Sequence, residues 1–194
     1  MTTTLPLVRH LCAALALAAL AAPALAQEDA TTDDPVARGK YLVTIAGCND
    51  CHTPLKMGAN GPEPDMSRML SGHPQDLEMP PAPAPQDPWA FAAAVTNTAW
   101  AGPWGVSFTA NLTPDRETGL GKWTLRNFVE TIRTGRHLGR GRAILPPMPI
   151  PMYKHMTDDD LAAVFAYLQS IPPVRNKVPS PRPPATASAS TEGQ

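Results

Sequence analysis

Cysteine is scarce, three residues in 194, too few for the disulfide framework that staples small secreted scaffolds. An excess of one charge is also lacking. Sixteen basic and 17 acidic side chains leave a formal charge of −1, so there is little long-range attraction toward nucleic acid or anionic lipid. Long hydrophobic runs are absent too. The apolar stretch Leu11 to Ala22 has 12 residues, against the roughly 20 that a membrane-spanning helix needs. Its setting is that of a signal peptide: Arg9 and His10 precede it, and Pro23 and the small-x-small triplet Ala24-Leu25-Ala26 follow. Cleavage before Gln27 is expected, which removes Cys12, leaves an exported chain of 168 residues with a charge of −2, and leaves no segment able to cross a bilayer.

Proline is in excess instead, 24 of 194, and each one restricts helices and central strands. Residues 27–34 are polar and expected to be flexible. Asp34-Pro35 then reads as a helix start, and a helix runs from there into Cys48-Asn49-Asp50-Cys51-His52. Residues 54–88 hold nine prolines and are expected to form a long Pro-rich loop that is poor strand material. Trp89 to Val95 is expected to make a short helical turn. Two further helices are clear. One is capped by Thr124, carries Leu125, Phe128, Val129 and Ile132, and stops at Gly135. The other is capped by Thr157, opens on Asp158, Asp159 and Asp160, carries Leu161, Val164, Phe165 and Leu168, and stops at Pro172-Pro173. Between them, Leu145 to Met152 is expected to be extended, because residues before proline are pushed out of the α region. Residues 176–194, rich in Pro, Ser and Ala, are expected to be a disordered tail.

Chemistry concentrates in Cys48-x-x-Cys51-His52, the signature of c-type haem attachment. Two cysteines three apart lie on one side of a helical turn, so both thiols can add to vinyl groups along one porphyrin edge, and the adjacent imidazole can reach the iron. A thioredoxin-like pair would need a βαβ setting, which this stretch lacks. A zinc site would need further ligands, and His73, His137 and His155 are scattered. A structural disulfide across so short a loop would stabilise little. One motif implies one haem c. For the distal position, Met148, Met152 and Met156 all precede the last helix; Met148, held between Pro147 and Pro149, is the choice, and His137 is the rival. Arg133, Arg136, Arg140 and Arg142 suit either carboxylate pairing or a solvated turn. Trp89, Trp100, Trp104 and Trp123 read as pocket or packing residues.

With Gly39-Lys40-Tyr41-Leu42 before the attachment motif, Ala110-Asn111-Leu112-Thr113-Pro114-Asp115, Arg133-Thr134-Gly135, Pro147-Met148-Pro149 and Asp160 to Leu168, the chain resembles bacterial periplasmic class I cytochromes c. More narrowly, it is similar to the cytochrome modules of membrane-associated alcohol, aldehyde and sugar dehydrogenases. The resemblance implies an all-α fold around one haem over residues 35–175, with Cys48 and Cys51 as attachment points, His52 as proximal and Met148 as distal iron ligand. It also implies an electron carrier, not itself an enzyme, that takes electrons from a dehydrogenase and passes them to an oxidase or soluble carrier in the periplasm. Such subunits often carry three attachment motifs and this chain has one, so a complex subunit and a stand-alone carrier are both open. A haem enzyme or gas sensor with an open sixth position is the alternative from another class, and a thiol-disulfide oxidoreductase is a third.

Overall fold

The computed structural model describes residues 34–83 and 87–184. The expected signal peptide, residues 27–33 and the end of the expected tail, 185–194, lie outside the described residues. In chain order the elements are α1 (Pro35–Ile45), α2 (Cys48–His52), β1 (Leu55–Gly58), β2 (Gly61–Pro64), β3 (Ala92–Ala93), β4 (Ala99–Gly102), β5 (Gly105–Phe108), α3 (Leu125–Thr134), α4 (Ile150–Tyr153) and α5 (Asp158–Ser170).

The three long helices start and stop where their capping residues dictate. Asp34 accepts a hydrogen bond from the Val36 N–H at 2.9 Å, and Pro35 occupies the first helical position. Thr124 and Asn127 form a reciprocal capping box at α3, and Gly135 ends it in the left-handed conformation at φ 65°. Thr157 caps α5, whose first turn holds three aspartates. Helices of this length are marginal alone. Here Leu42, Val43, Phe128, Ile132, Leu161, Val164 and Leu168 meet in one buried cluster, each contributing roughly 1.5–3 kcal/mol by leaving water. α1 crosses α5 at Gly39, where an added Cβ would lie 1.9 Å from the Ala163 carbonyl oxygen; only glycine allows backbones this close.

The expectation of an all-α fold is corrected by two antiparallel sheets, one of β1 and β2, the other of β3, β4 and β5. Gly102-Pro103-Trp104-Gly105 is the cause of the second, a tight reversal with Gly105 at φ 92° that sets Trp100 opposite Ser107 and Ala99 opposite Phe108. The expected helical turn at 89–95 is replaced by β3, paired through Ala92 and Ala93. Residues 54–88 are likewise not all loop: β1 and β2 form a hairpin in which Pro62 and Pro64 are tolerated because each strand of a two-stranded sheet is an edge. The segment after it wraps inward and buries Leu70 and His73 completely. The extended reading of 145–152 is interrupted by α4, where Pro151 sits in the first turn and needs no donor.

The expected tail at 176–194 is corrected over residues 176–184. Asn176 is fully buried: its side-chain oxygen accepts from Arg68 and from the Gln75 N–H, and its amide donates to the Ser71 and His73 carbonyls at 2.7 and 2.8 Å. Arg182 then pairs with Val106 through both backbone groups at 2.9 Å. A stretch poor in apolar side chains is therefore held by polar anchors that composition does not show. No helix among the described residues is long and apolar enough to cross a membrane.

Candidate functional site

α1 ends at Ile45, and the Ala46 and Gly47 N–H groups bond back to Leu42 and Thr44. Gly47 adopts the left-handed conformation, φ 68° and ψ 25°, which turns the chain so that α2 can begin at Cys48. Cys48 and Cys51 are half-buried free thiols three residues apart on this single turn. Burial pushes the Cys48 thiol up to about 11, with the Asp50 and Cys51 charges adding to the rise against a backbone hydrogen bond. Cys51 moves the same way, again chiefly through burial. A redox-active Cys-x-x-Cys needs a depressed thiol pKa, and burial here acts in the opposite direction.

His52 ends α2 and is only 7% exposed. Its Nδ1 lies 2.8 Å from the Ala110 carbonyl. A carbonyl can only accept, so Nδ1 carries the proton and Nε2 keeps its lone pair, the arrangement a metal-ligating imidazole needs. Burial lowers the His52 pKa and so favours the neutral ring, opposed by the bond to Ala110. Ala110 is fixed in turn by its neighbours. Asn111 accepts from the Thr113 N–H and hydroxyl and donates to the Val174 carbonyl, while the Leu112 N–H bonds to the Leu70 carbonyl.

His52, Cys48 and Cys51 line a cavity of about 440 Å³, within the range that takes a substantial organic ligand. Met148 and Met156 line it as well, whereas Met152 is 71% exposed and does not. His137 reaches the cavity and stands edge-on to Trp123, ring centroids 5.3 Å apart. Of the arginines, Arg142 lines the cavity, Arg133 is held by Asp158 and the Lys154 carbonyl, and Arg136 bonds to the Gly141 carbonyl. Trp100 and Trp123 line the cavity; Trp89 is 76% exposed instead of packed. The Tyr153 hydroxyl donates to the Ala46 carbonyl and so joins α4 to the turn before Cys48. Two parts of the wall escaped the sequence reading: Ser107 and Phe108 of β5, and residues 177–181. The alternation Val106-Ser107-Phe108 after a Gly-Pro-Trp-Gly turn was the available signal for the first; for the second there was none.

Residues 36–172 match the family model described as cytochrome c. The chain belongs to the cytochrome c family. Among curated proteins it is similar to the cytochrome c subunit of a quinone alcohol dehydrogenase from Gluconobacter oxydans, 28% identical over 172 residues, 87% of this chain and 28% of that one. It is also similar to the gluconate 2-dehydrogenase cytochrome c subunit of Pantoea cypripedii, 29% identical over 162 residues, 83% of this chain and 29% of that one. A shorter match, 38% identical over 79 residues, joins 40% of this chain to 6% of a nicotinate dehydrogenase subunit from Pseudomonas putida. The chain thus spans less than a third of the length of each of these relatives. The donor set suits the covalent haem c that the cytochrome c family implies: two unpaired thiols, an imidazole with one free nitrogen, and a thioether, all on one cavity.

Proposed function

We propose that this cytochrome c holds one haem c by thioether bonds to Cys48 and Cys51, with His52 as proximal and Met148 as distal iron ligand. It acts in the periplasm as an electron carrier, not as an enzyme, between a dehydrogenase-type donor and an oxidase or soluble carrier. The observation that carries this reading is the His52 ring, buried, lining one cavity with both cysteines and committed through Nδ1 to Ala110. The named relatives support a dehydrogenase as donor.

When bound, haem c supplies one-electron chemistry at its iron. The residues set the terms of that chemistry. His52 is held in one tautomer and one orientation by Ala110. Met148 would bring a soft sulfur ligand, which favours the reduced state. Leu120, Phe128, Leu161, Val164 and Leu168 give the pocket an apolar side, which would disfavour net charge at a bound metal. Tyr153 fastens α4 to the attachment turn, so the segments carrying the two ligands share one frame.

The test is a visible spectrum, oxidised and reduced, with an intact mass, of the protein exported from a host equipped for cytochrome biogenesis. The expected outcome is a polypeptide plus one haem, low-spin in both states, with a Met-to-iron charge-transfer band that Met148→Ala abolishes. A mass equal to the bare polypeptide overturns the reading in favour of a thiol protein. Rapid carbon monoxide binding by the reduced wild type overturns the distal ligand and favours an open-site enzyme or sensor.

A further inference from the structure

The segment that carries Met148 has little of its own to hold it. Pro146, Pro147 and Pro149 have no N–H to donate, and α4 follows at Ile150 with a single helical turn. Among the described residues, one hydrogen bond joins residues 145–149 to anything outside this segment and the turn of α4. It is donated by the Ser107 hydroxyl to the Pro146 carbonyl, at 2.6 Å, across 39 positions of sequence. Pro146 is two residues before Met148. We propose that Ser107 is a positioning residue for the distal ligand: its hydroxyl anchors the Pro146 carbonyl and thereby sets where the Met148 sulfur is presented to the cavity.

The mounting of Ser107 suits that role. It lies in the middle of β5, only 7% exposed, directly opposite Trp100 of β4. Its neighbour Val106 is paired on the other edge with Arg182 by two backbone bonds of 2.9 Å. The strand is therefore gripped from both sides, and a side chain on it moves little relative to the cavity wall. A flexible loop donor at the same distance would impose far less on its acceptor. The arrangement also gives the hairpin β4–β5 a task that a minimal helical frame would leave undone, since α1, α3 and α5 make no hydrogen bond to residues 145–149.

The inference rests on Met148 as the distal ligand, and the experiment separates the two ideas. Holoprotein is titrated with imidazole in the ferric state, following loss of the Met-to-iron charge-transfer band, for the wild type and for Ser107→Ala, Ser107→Thr and Ser107→Val. Thr and Val have nearly the same shape and differ in the hydroxyl, so their comparison stands even if the Ala variant assembles poorly. Loss of one buried hydrogen bond is expected to tighten apparent imidazole binding about five- to tenfold in Ala and Val, and to lower the reduction potential, with Thr close to wild type. Global denaturation alone would not distinguish these roles, whereas the imidazole affinity and the potential do. If Ala and Val bind imidazole as weakly as wild type and keep its potential, the positioning role is overturned while Met148 stands. If the wild type itself lacks the band, Met148 is not the ligand and the inference falls with it.

Discussion

The part of the cavity wall formed by α3 and α5, on which α1 packs, is built mainly on buried leucine, valine, isoleucine and phenylalanine. The part formed by β4, β5 and residues 177–181 rests on a smaller apolar group, Ala99, Val106 and Phe108, together with the polar residues Asn176, His73 and Thr98, all fully buried. The first draws its stability from area removed from water, which is non-directional and tolerates small displacements. The second depends on hydrogen bonds with fixed partners, whose loss leaves desolvated groups unmatched. The cavity draws on both: a frame of packed apolar side chains, and a strand that holds the proline-rich Met148 segment from the side.

The largest effect is expected where the helical part has no slack. Gly39→Ala should gain up to about 1 kcal/mol of helix propensity, but its Cβ would stand 1.9 Å from the Ala163 oxygen and 2.8 Å from Cβ of Tyr167. Overpacking of that kind costs about 1–3 kcal/mol and occasionally more; with backbone as the obstacle, the upper end is expected and the clash wins. Denaturant unfolding of the holoprotein should show a lower midpoint at unchanged slope. A neutral or stabilising result would mean that the two helices cross less tightly than Gly39 indicates.

Asn176→Ala comes next, and it should differ in kind as well as size. It strips partners from Arg68, the Gln75 N–H and the Ser71 and His73 carbonyls, a loss of about 2–3 kcal/mol if half of these groups find water. Native-state hydrogen exchange should show the Val106 amide losing protection while amides of α1 and α5 keep theirs. Equal loss in both regions would break the comparison, because the polar wall would then not open separately from the helices.

The two regions also differed in how far they could be read beforehand. Asp34, Thr124, Thr157 and Gly135 announce helix ends through local chemistry, and the apolar spacing of α3 and α5 follows from a period of 3.6. Cys48, Cys51 and His52 needed only their spacing. Met148 was singled out by its flanking prolines, and the structure brings it to the cavity with Met156 while leaving Met152 outside. What was illegible is nonlocal. Asn176 looks like any polar residue of a Pro-Ser tail until Arg68 and residues 71–75 arrive from a hundred positions away. Ser107 has no mark in sequence that names Pro146 as its partner. The strands were missed because prolines and glycines argued for loop, although here they make the turns and edges of small sheets.

A pH dependence should follow the same division. His73 is fully buried, with Nε2 donating to the Leu77 carbonyl at 3.2 Å and Nδ1 2.9 Å from the Thr98 hydroxyl. Burial lowers its pKa, and the Arg182 and Arg68 charges lower it further against the bond to Leu77. The unfolded chain therefore takes up this proton first as the pH falls. Stability is retained above the ordinary histidine value of about 6.5 and lost as the pH drops through it toward the lower folded value. His137 is lowered too, by burial and Arg142, and titrates in the same sense. Replacing His73 with Gln should reduce the stability difference between about pH 7.5 and 5.5 without abolishing it. An unchanged difference would assign the acid sensitivity elsewhere.

The smallest effect expected is at Arg182, and it sharpens the comparison most finely. Its side chain donates to the Met79 carbonyl at 3.0 Å and lies over the Phe108 ring at 5.6 Å, but it is exposed, while its backbone carries the pairing with Val106. Arg182→Ala removes only the side chain: an exposed cation–ring contact is worth about 0.5–1 kcal/mol, and the exposed bonds to the Met79 and Pro80 carbonyls, which water can replace, add little. Arg182→Pro removes the N–H that bonds to the Val106 carbonyl as well. If β5 is held chiefly through the backbone, the Pro variant should speed exchange at the Val106 amide and tighten imidazole binding in the direction expected for loss of the Ser107 hydroxyl, whereas the Ala variant should change both little. Equal effects of the two would place the grip in the guanidinium, and the polar wall would then depend on a surface charge that salt can weaken.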